Sequence, residues 1–118
     1  MIKTEVISGD VLKITLEDKL RADDFSKVAP QIDSLIRQHE TIRLLIDATE
    51  FHGWENIAAL EKHAMFVKTH QRKIGRIAVI AAHDWQRWLI GAARTFVHPE
   101  VKAYDKADEG EALQWIVG

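Results

Sequence analysis

Ile42-Arg43-Leu44-Leu45-Ile46-Asp47 is a nearly continuous apolar run closed by an acid, and its reading decides the fold. A strand with one wet face alternates polar and apolar residues. This run does not, so it reads as a central strand of a sheet covered on both faces, the usual situation of parallel strands. Downstream, Ala48-Thr49-Glu50-Phe51-His52-Gly53-Trp54 reads as a strand-to-helix loop, and a helix is expected from Glu55 to His70. Its main apolar stripe is Ile57, Leu60, Ala64 and Val67, with Trp54, Ala58 and Met65 as a smaller flank. Residues 77–82 form a further all-apolar strand.

Upstream, residues 2–7 and 11–17 read as a β-hairpin. Leu12, Ile14 and Leu16 alternate with Lys13, Thr15 and Glu17, and Ser8-Gly9-Asp10 supplies the turn. Residues 22–39 change to a helical period through Phe25, Val28, Ile32, Leu35 and Ile36. Pro30 either opens the principal helix or kinks it. Residues 84–96 make a third helix, 101–104 a last strand and 108–116 a terminal helix. The order is β-β-α-β-α-β-α-β-α, which implies one α/β domain over residues 1–118 with a mixed, mostly parallel sheet of about five strands.

The chain has 118 residues, no cysteine and a formal net charge of −2. Absence of cysteine excludes disulfides, thiolate metal sites, iron–sulfur clusters and a cysteine nucleophile. No apolar run is long enough to cross a bilayer, and Met1-Ile2-Lys3-Thr4-Glu5 lacks the build of a signal peptide, so a cytoplasmic protein is expected. The charge is segregated: residues 62–99 hold seven Lys/Arg against the single acid Asp84, between acidic flanks. Such a block either offers a surface to anions or merely solubilises several faces.

Catalytic constellations are thin. The six glycines are scattered, the three serines lie in the turn and first helix, and no histidine pair has the spacing of a helical zinc site. No metal or cofactor is expected. Asp47, Thr49, Glu50 and His52 stand at a strand end, where capping and solvation account for them as well as general-base chemistry does. The third helix carries the sharpest pattern: Trp85, Trp88, Leu89, Ala92 and Phe96 share one stripe, with Arg87 and Arg94 opposite. That stripe is core, pocket wall or membrane-facing surface; periodicity does not separate the three. The aromatics lie on helical stripes and the pI is near 6.3, so no nucleic-acid partner is expected.

Several of these segments resemble the SpoIIAA-like family of small bacterial proteins. They are Ile42 to Asp47 continuing through Phe51-His52-Gly53-Trp54, Arg76-Ile77-Ala78-Val79-Ile80, Asp84-Trp85-Gln86-Arg87-Trp88-Leu89, and Phe96 with Pro99-Glu100-Val101. The resemblance spans nearly the whole chain. It implies a fold of the STAS type, related in layout to the Sec14/CRAL-TRIO lipid-binding domain, with four helices mainly on one face of the sheet and often a homodimer. It further implies binding of an apolar or lipid-like ligand, with membrane association through the helices after the third and fourth strands, and no enzyme activity. The family's namesake, a sporulation anti-sigma factor antagonist, is switched by phosphorylation of a serine at the start of the second main helix. Here that stretch is Trp54-Glu55-Asn56-Ile57, with no hydroxyl, and Thr49 lies earlier.

The expectation is therefore a non-enzymatic domain that takes an apolar ligand between its second and third helices, peripheral to the inner membrane. Trp54, Met65, Trp85, Trp88 and Phe96 are the expected wall. Lys68, Arg87 and Arg94 are the expected contacts to an anionic head group or membrane. The alternative is a STAS-type protein-interaction module acting through the Glu50–Asn56 stretch.

Overall fold

Each element forms where the hydrophobic period places it, with informative exceptions. In the computed structural model, which describes residues 1–118, β1 (Ile2–Ser8) and β2 (Val11–Leu20) pair antiparallel across a turn in which Gly9 takes φ +50°. The Asp10 carboxylate receives Arg43 Nε (3.1 Å) and Nη2 (2.7 Å), pinning the turn to the next strand. Those hydrogen bonds hold the Asp10 carboxyl below its ordinary range. α1 (Ala22–His39) runs unbroken through Pro30, with Asp23 and Asp24 in its first turn and Arg37 and His39 in its last, as the helix dipole favours.

β3 (Ile42–Trp54), β4 (Ile74–Ala81) and β5 (Glu100–Asp105) continue the sheet in parallel, giving the spatial order β1-β2-β3-β4-β5. α2 (Ile57–His70) and α3 (Asp84–Ala93) fill the remaining connections, and α4 (Glu109–Val117) follows β5 after a 3-10 turn at Lys106–Asp108. The expected element order and mixed sheet are thus present. Every parallel step moves one strand further in the same direction. Right-handed crossovers then place α1, α2 and α3 on a single face.

That face is built by Leu12, Ile14, Leu44 and Ile74 under Val28, Ile32 and Leu35 of α1, and further along by Leu20, Phe25, Ala48, Phe51 and Val79. α4 alone covers the opposite face, where Ala112 and Ile116 pack on Val11, Leu45, Ala78 and Ile80. Leu44 and Leu45 therefore point to opposite layers, which is why the run that opens β3 shows no alternation. No helix is long and apolar enough to cross a membrane.

The structure corrects two boundaries. Residues 48–54, expected as a loop, are the second half of β3. β2 extends alongside them, pairing Glu17 with Glu50, Asp18 with Phe51 and Leu20 with Trp54. Twice within that stretch β3 advances three residues while β2 advances two, so each step carries a bulge. At the first, Asp47 Oδ1 accepts from the Thr49 amide (3.0 Å) and hydroxyl (2.7 Å). At the second, Gly53 adopts φ +104°. The third helix ends at Ala93, short of Phe96, which lies in the connection to β5.

Gly53 carries its bulge by a backbone conformation that residues with a Cβ adopt at a cost of about 1–3 kcal/mol. Urea unfolding of Gly53→Ala should show a loss of that size. Gly75→Ala, at a strand position with ordinary φ and open space around the added methyl, should be neutral or gain up to about 1 kcal/mol.

Candidate functional site

The α2 face that meets the sheet is not the expected Ile57/Leu60/Ala64/Val67 stripe. It is Ala59, His63, Phe66 and His70, at i, i+4, i+7 and i+11. Two histidines disguise this stripe in the sequence, yet both rings pack as aromatics: His63 on Phe25 (centroids 5.1 Å) and His70 on Phe66 (4.2 Å). His70 Nε2 lies 2.9 Å from Asp33 Oδ1 and its Nδ1 2.9 Å from the Phe66 carbonyl. Both partners are acceptors, and the tautomer of the ring decides which of them receives an N–H. His63 differs. Its Nδ1 accepts the Trp54 indole N–H at 3.0 Å, and burial pushes its pKa down to about 4.

With its face turned by one residue, α2 directs Leu60, Ala64 and Val67 toward α3 rather than into the core. Between the two helices lies a cleft of about 420 Å³. Its floor is Leu16, Ile46, Ala48, Phe51 and Val79 from the sheet, and Trp54, Trp85, Leu89, Ile90 and Ala93 complete the walls. A smaller space of about 110 Å³ beneath α1 and α2 shares Leu16, Ile46, His63 and Val67 with it. Trp85, Phe51, Trp54 and His63 form a continuous aromatic series across the floor, with successive centroids 5.7, 5.2 and 5.7 Å apart. The connection after α3 borders the smaller space through Val97 and Pro99, and the His98 amide there donates to Gln71 Oε1 (2.8 Å).

α3 is held mainly by polar bonds. Gln86, 3% exposed, fills all four of its hydrogen-bonding positions. Nε2 donates to the Ala48 carbonyl (2.8 Å) and the Phe51 carbonyl (2.9 Å). Oε1 accepts from the amides of Ala82 (2.9 Å) and His83 (3.2 Å). The carbonyls it reaches belong to the bulged half of β3, so bulge and helix position are set together. Arg87 adds an outer tie through Asp105 of β5 and Asp84.

Trp54 and Trp85, of the five expected wall residues, line the cleft. Met65 on α2, Trp88 on α3 and Phe96 in the connection after α3 do not; they stand 59%, 72% and 85% exposed. Among the expected cations, Arg87 is committed to its two carboxylates, while Lys68 and Arg94 are exposed and take part in no ion pair. Sequence reading missed His63 and Gln86. A polar residue within each inward stripe was the available signal, since Gln86, Leu89, Ile90 and Ala93 also have helical spacing.

Gln86→Leu keeps the volume but strips partners from two β3 carbonyls and two amides at the α3 start, and should cost at least about 2 kcal/mol. Hydrogen exchange should localise the loss to α3 and the end of β3. For His63, the unfolded chain takes up a proton near pH 6.5 and the folded chain only near pH 4. Stability should fall as pH drops through that window, by on the order of 3 kcal/mol, and level off below it. Urea midpoints at pH 7.5 and 4.5 should show a smaller drop for His63→Phe than for the unaltered protein.

The SpoIIAA-like family model matches residues 11–117. Among solved structures, a Shewanella loihica PV-4 protein with a SpoIIAA-like fold superposes with a TM-score of 0.82 at 27% identity, covering 98% of this chain and 92% of that one. The anti-sigma factor antagonist SpoIIAA in its unphosphorylated form gives 0.71 at 15% identity, over 100% and 99% of the two chains. The phosphorylated Bacillus cell fate determinant SpoIIAA gives 0.57 at 9% identity, over 96% and 99%. Among curated proteins no sequence matches. With its sheet order, its helices and the family match over nearly its full length, the chain belongs to the SpoIIAA-like family.

Proposed function

We propose that residues 1–118 act as one non-enzymatic binding domain whose α2–α3 cleft takes an apolar, lipid-like ligand. The observation that carries this reading is the cleft itself: about 420 Å³, lined by apolar side chains except for His63 and Gln86. That volume lies within the range of small-molecule pockets, about 300–1,000 Å³, whose walls are apolar with few polar groups. Trp54 and Trp85 are the wall residues from the expected set. Trp88, Phe96 and Met65 serve the outer surface instead.

Those outer aromatics support attachment to an anionic membrane. Trp88 and Phe96 are exposed, and Lys62, Lys68, Arg72, Lys73 and Arg94 from the basic block make no ion pairs. Indole at an interface and cations near anionic head groups are each favourable, at about 1 kcal/mol per cation. The domain would then be cytoplasmic and peripheral at the inner membrane. A second reading is a protein-interaction module, favoured by the full-length superposition on SpoIIAA. Asn56 caps α2 through the Ala59 amide (2.9 Å), and the adjacent Ile57 is 73% exposed, so that helix start offers an apolar contact with no hydroxyl to phosphorylate.

Native mass spectrometry of freshly purified protein should show an adduct of lipid mass, and the same spectrum reads whether two copies associate as a homodimer. A clean unliganded mass beside a stoichiometric protein partner would favour the second reading. Vesicle flotation should favour anionic over neutral lipid and weaken with salt. Replacing Lys68 and Arg94 together by Gln should reduce it roughly thirtyfold, and Trp88→Ala should reduce it further. Equal flotation of all variants, or none for the unaltered protein, rejects membrane attachment.

A further inference from the structure

His63 is the one polar group of the cleft whose hydrogen-bonding capacity is incomplete. Gln86 is filled by four backbone partners. The Trp54 indole is filled by His63 Nδ1. An indole N–H only donates, so Nδ1 must be the unprotonated nitrogen of the imidazole, and the neutral ring carries its proton on Nε2. Burial keeps the ring neutral at physiological pH. Nε2 has no acceptor in the protein, yet it is not fully buried, and His63 borders both the cleft and the smaller space beside it. The ring cannot turn to hide this donor without breaking the Trp54 bond, and its stacking on Phe25 fixes its plane.

We infer that the occupant of the cleft is an apolar molecule carrying an uncharged oxygen acceptor, a ketone, ester or ether, that receives the His63 Nε2–H. The inference rests on reading the cleft as a ligand site. A donor left unpaired in an apolar space weakens binding of a pure hydrocarbon, because the occupant displaces water that would otherwise accept from it. A carboxylate at the same place would have to give up its hydration with no cationic side chain lining the cleft. The neutral acceptor avoids both costs. Trp54 is thereby a positioning residue: its indole selects the His63 tautomer that faces the ligand.

The test is a matched pair of probes with the same shape, 2-acetylnaphthalene and 2-isopropenylnaphthalene, titrated by two-dimensional amide NMR. The unaltered protein should bind the ketone about tenfold tighter than the alkene, the effect of one well-formed hydrogen bond. His63→Phe keeps an aromatic ring but removes the donor; it should bind both probes with equal affinity. A preference that survives His63→Phe, or equal binding by the unaltered protein, overturns the inference while leaving the cleft as a site. Binding of neither probe overturns both. Nitrogen-15 spectra of the His63 ring give a readout independent of any variant. At pH 7 they should show the Nε2–H tautomer, with its proton shifting downfield on adding the ketone and not the alkene. An Nδ1–H tautomer, or no such shift with the ketone bound, also overturns the inference.

Discussion

The handedness of three strand–helix–strand connections governs this molecule. Because β2, β3, β4 and β5 are added in sequence along one direction, right-handed crossovers leave α1, α2 and α3 no choice of face. The sheet has no point at which strand order reverses, and so none of the crevices at which doubly wound sheets bind ligands. A ligand volume in such a fold must be made between helices, above the sheet. The cleft between α2 and α3 is a space of that kind, and Leu16 and Ile46 of its floor also pack against the cluster beneath α1.

Crowding three helices onto one face distributes stability unevenly. α1 buries Phe25, Val28, Ile32 and Leu35, while α2 buries only Ala59 and His70 and α3 only Gln86. The two helices that border the cleft therefore lean on specific polar contacts: His70 on Asp33, His63 on Trp54, Gln86 on the bulged strand. Hydrogen bonds are directional and short in range, so such helices keep a fixed register yet separate from the sheet at lower cost than a helix seated by apolar area. The two helices that border the cleft are thus held less by burial than α1 is.

Much of the fold was legible in the sequence because hydrophobic period is a direct record of burial. The run from Ile42 to Ile46 announced a strand covered on both sides, and α4 on the far face is what covers its second side. The alternation of Leu12, Ile14 and Leu16 likewise marked a strand correctly. Where the reading departed, residue chemistry was ambiguous rather than silent. Asp47, Thr49 and Gly53 are turn-forming residues, and within a strand the same backbone preferences build bulges. Only the partner strand distinguishes the two, and pairing of Asp18 with Phe51 and Leu20 with Trp54 is not written in the local sequence.

The cleft was harder to read for a related reason: a helical stripe gives a direction, but not which side of it is wet. On α2 the apolar residues Leu60, Ala64 and Val67 line a cavity while two histidines hold the packed face. On α3 the tryptophan stripe is divided, with Trp85 and Leu89 in the cleft wall and Trp88 turned outward, and the inward row is led by a glutamine. In both helices, polar side chains buried with specific partners leave apolar ones without full cover. The inversion costs more than an ordinary apolar seat, since each buried polar group must find its partner. An apolar site beside the core needs that arrangement, because its walls must be apolar and still not close on each other. His63 belongs to both requirements at once: its Nδ1 completes the packing by accepting the Trp54 indole N–H, and its ring borders the space that the packing leaves open.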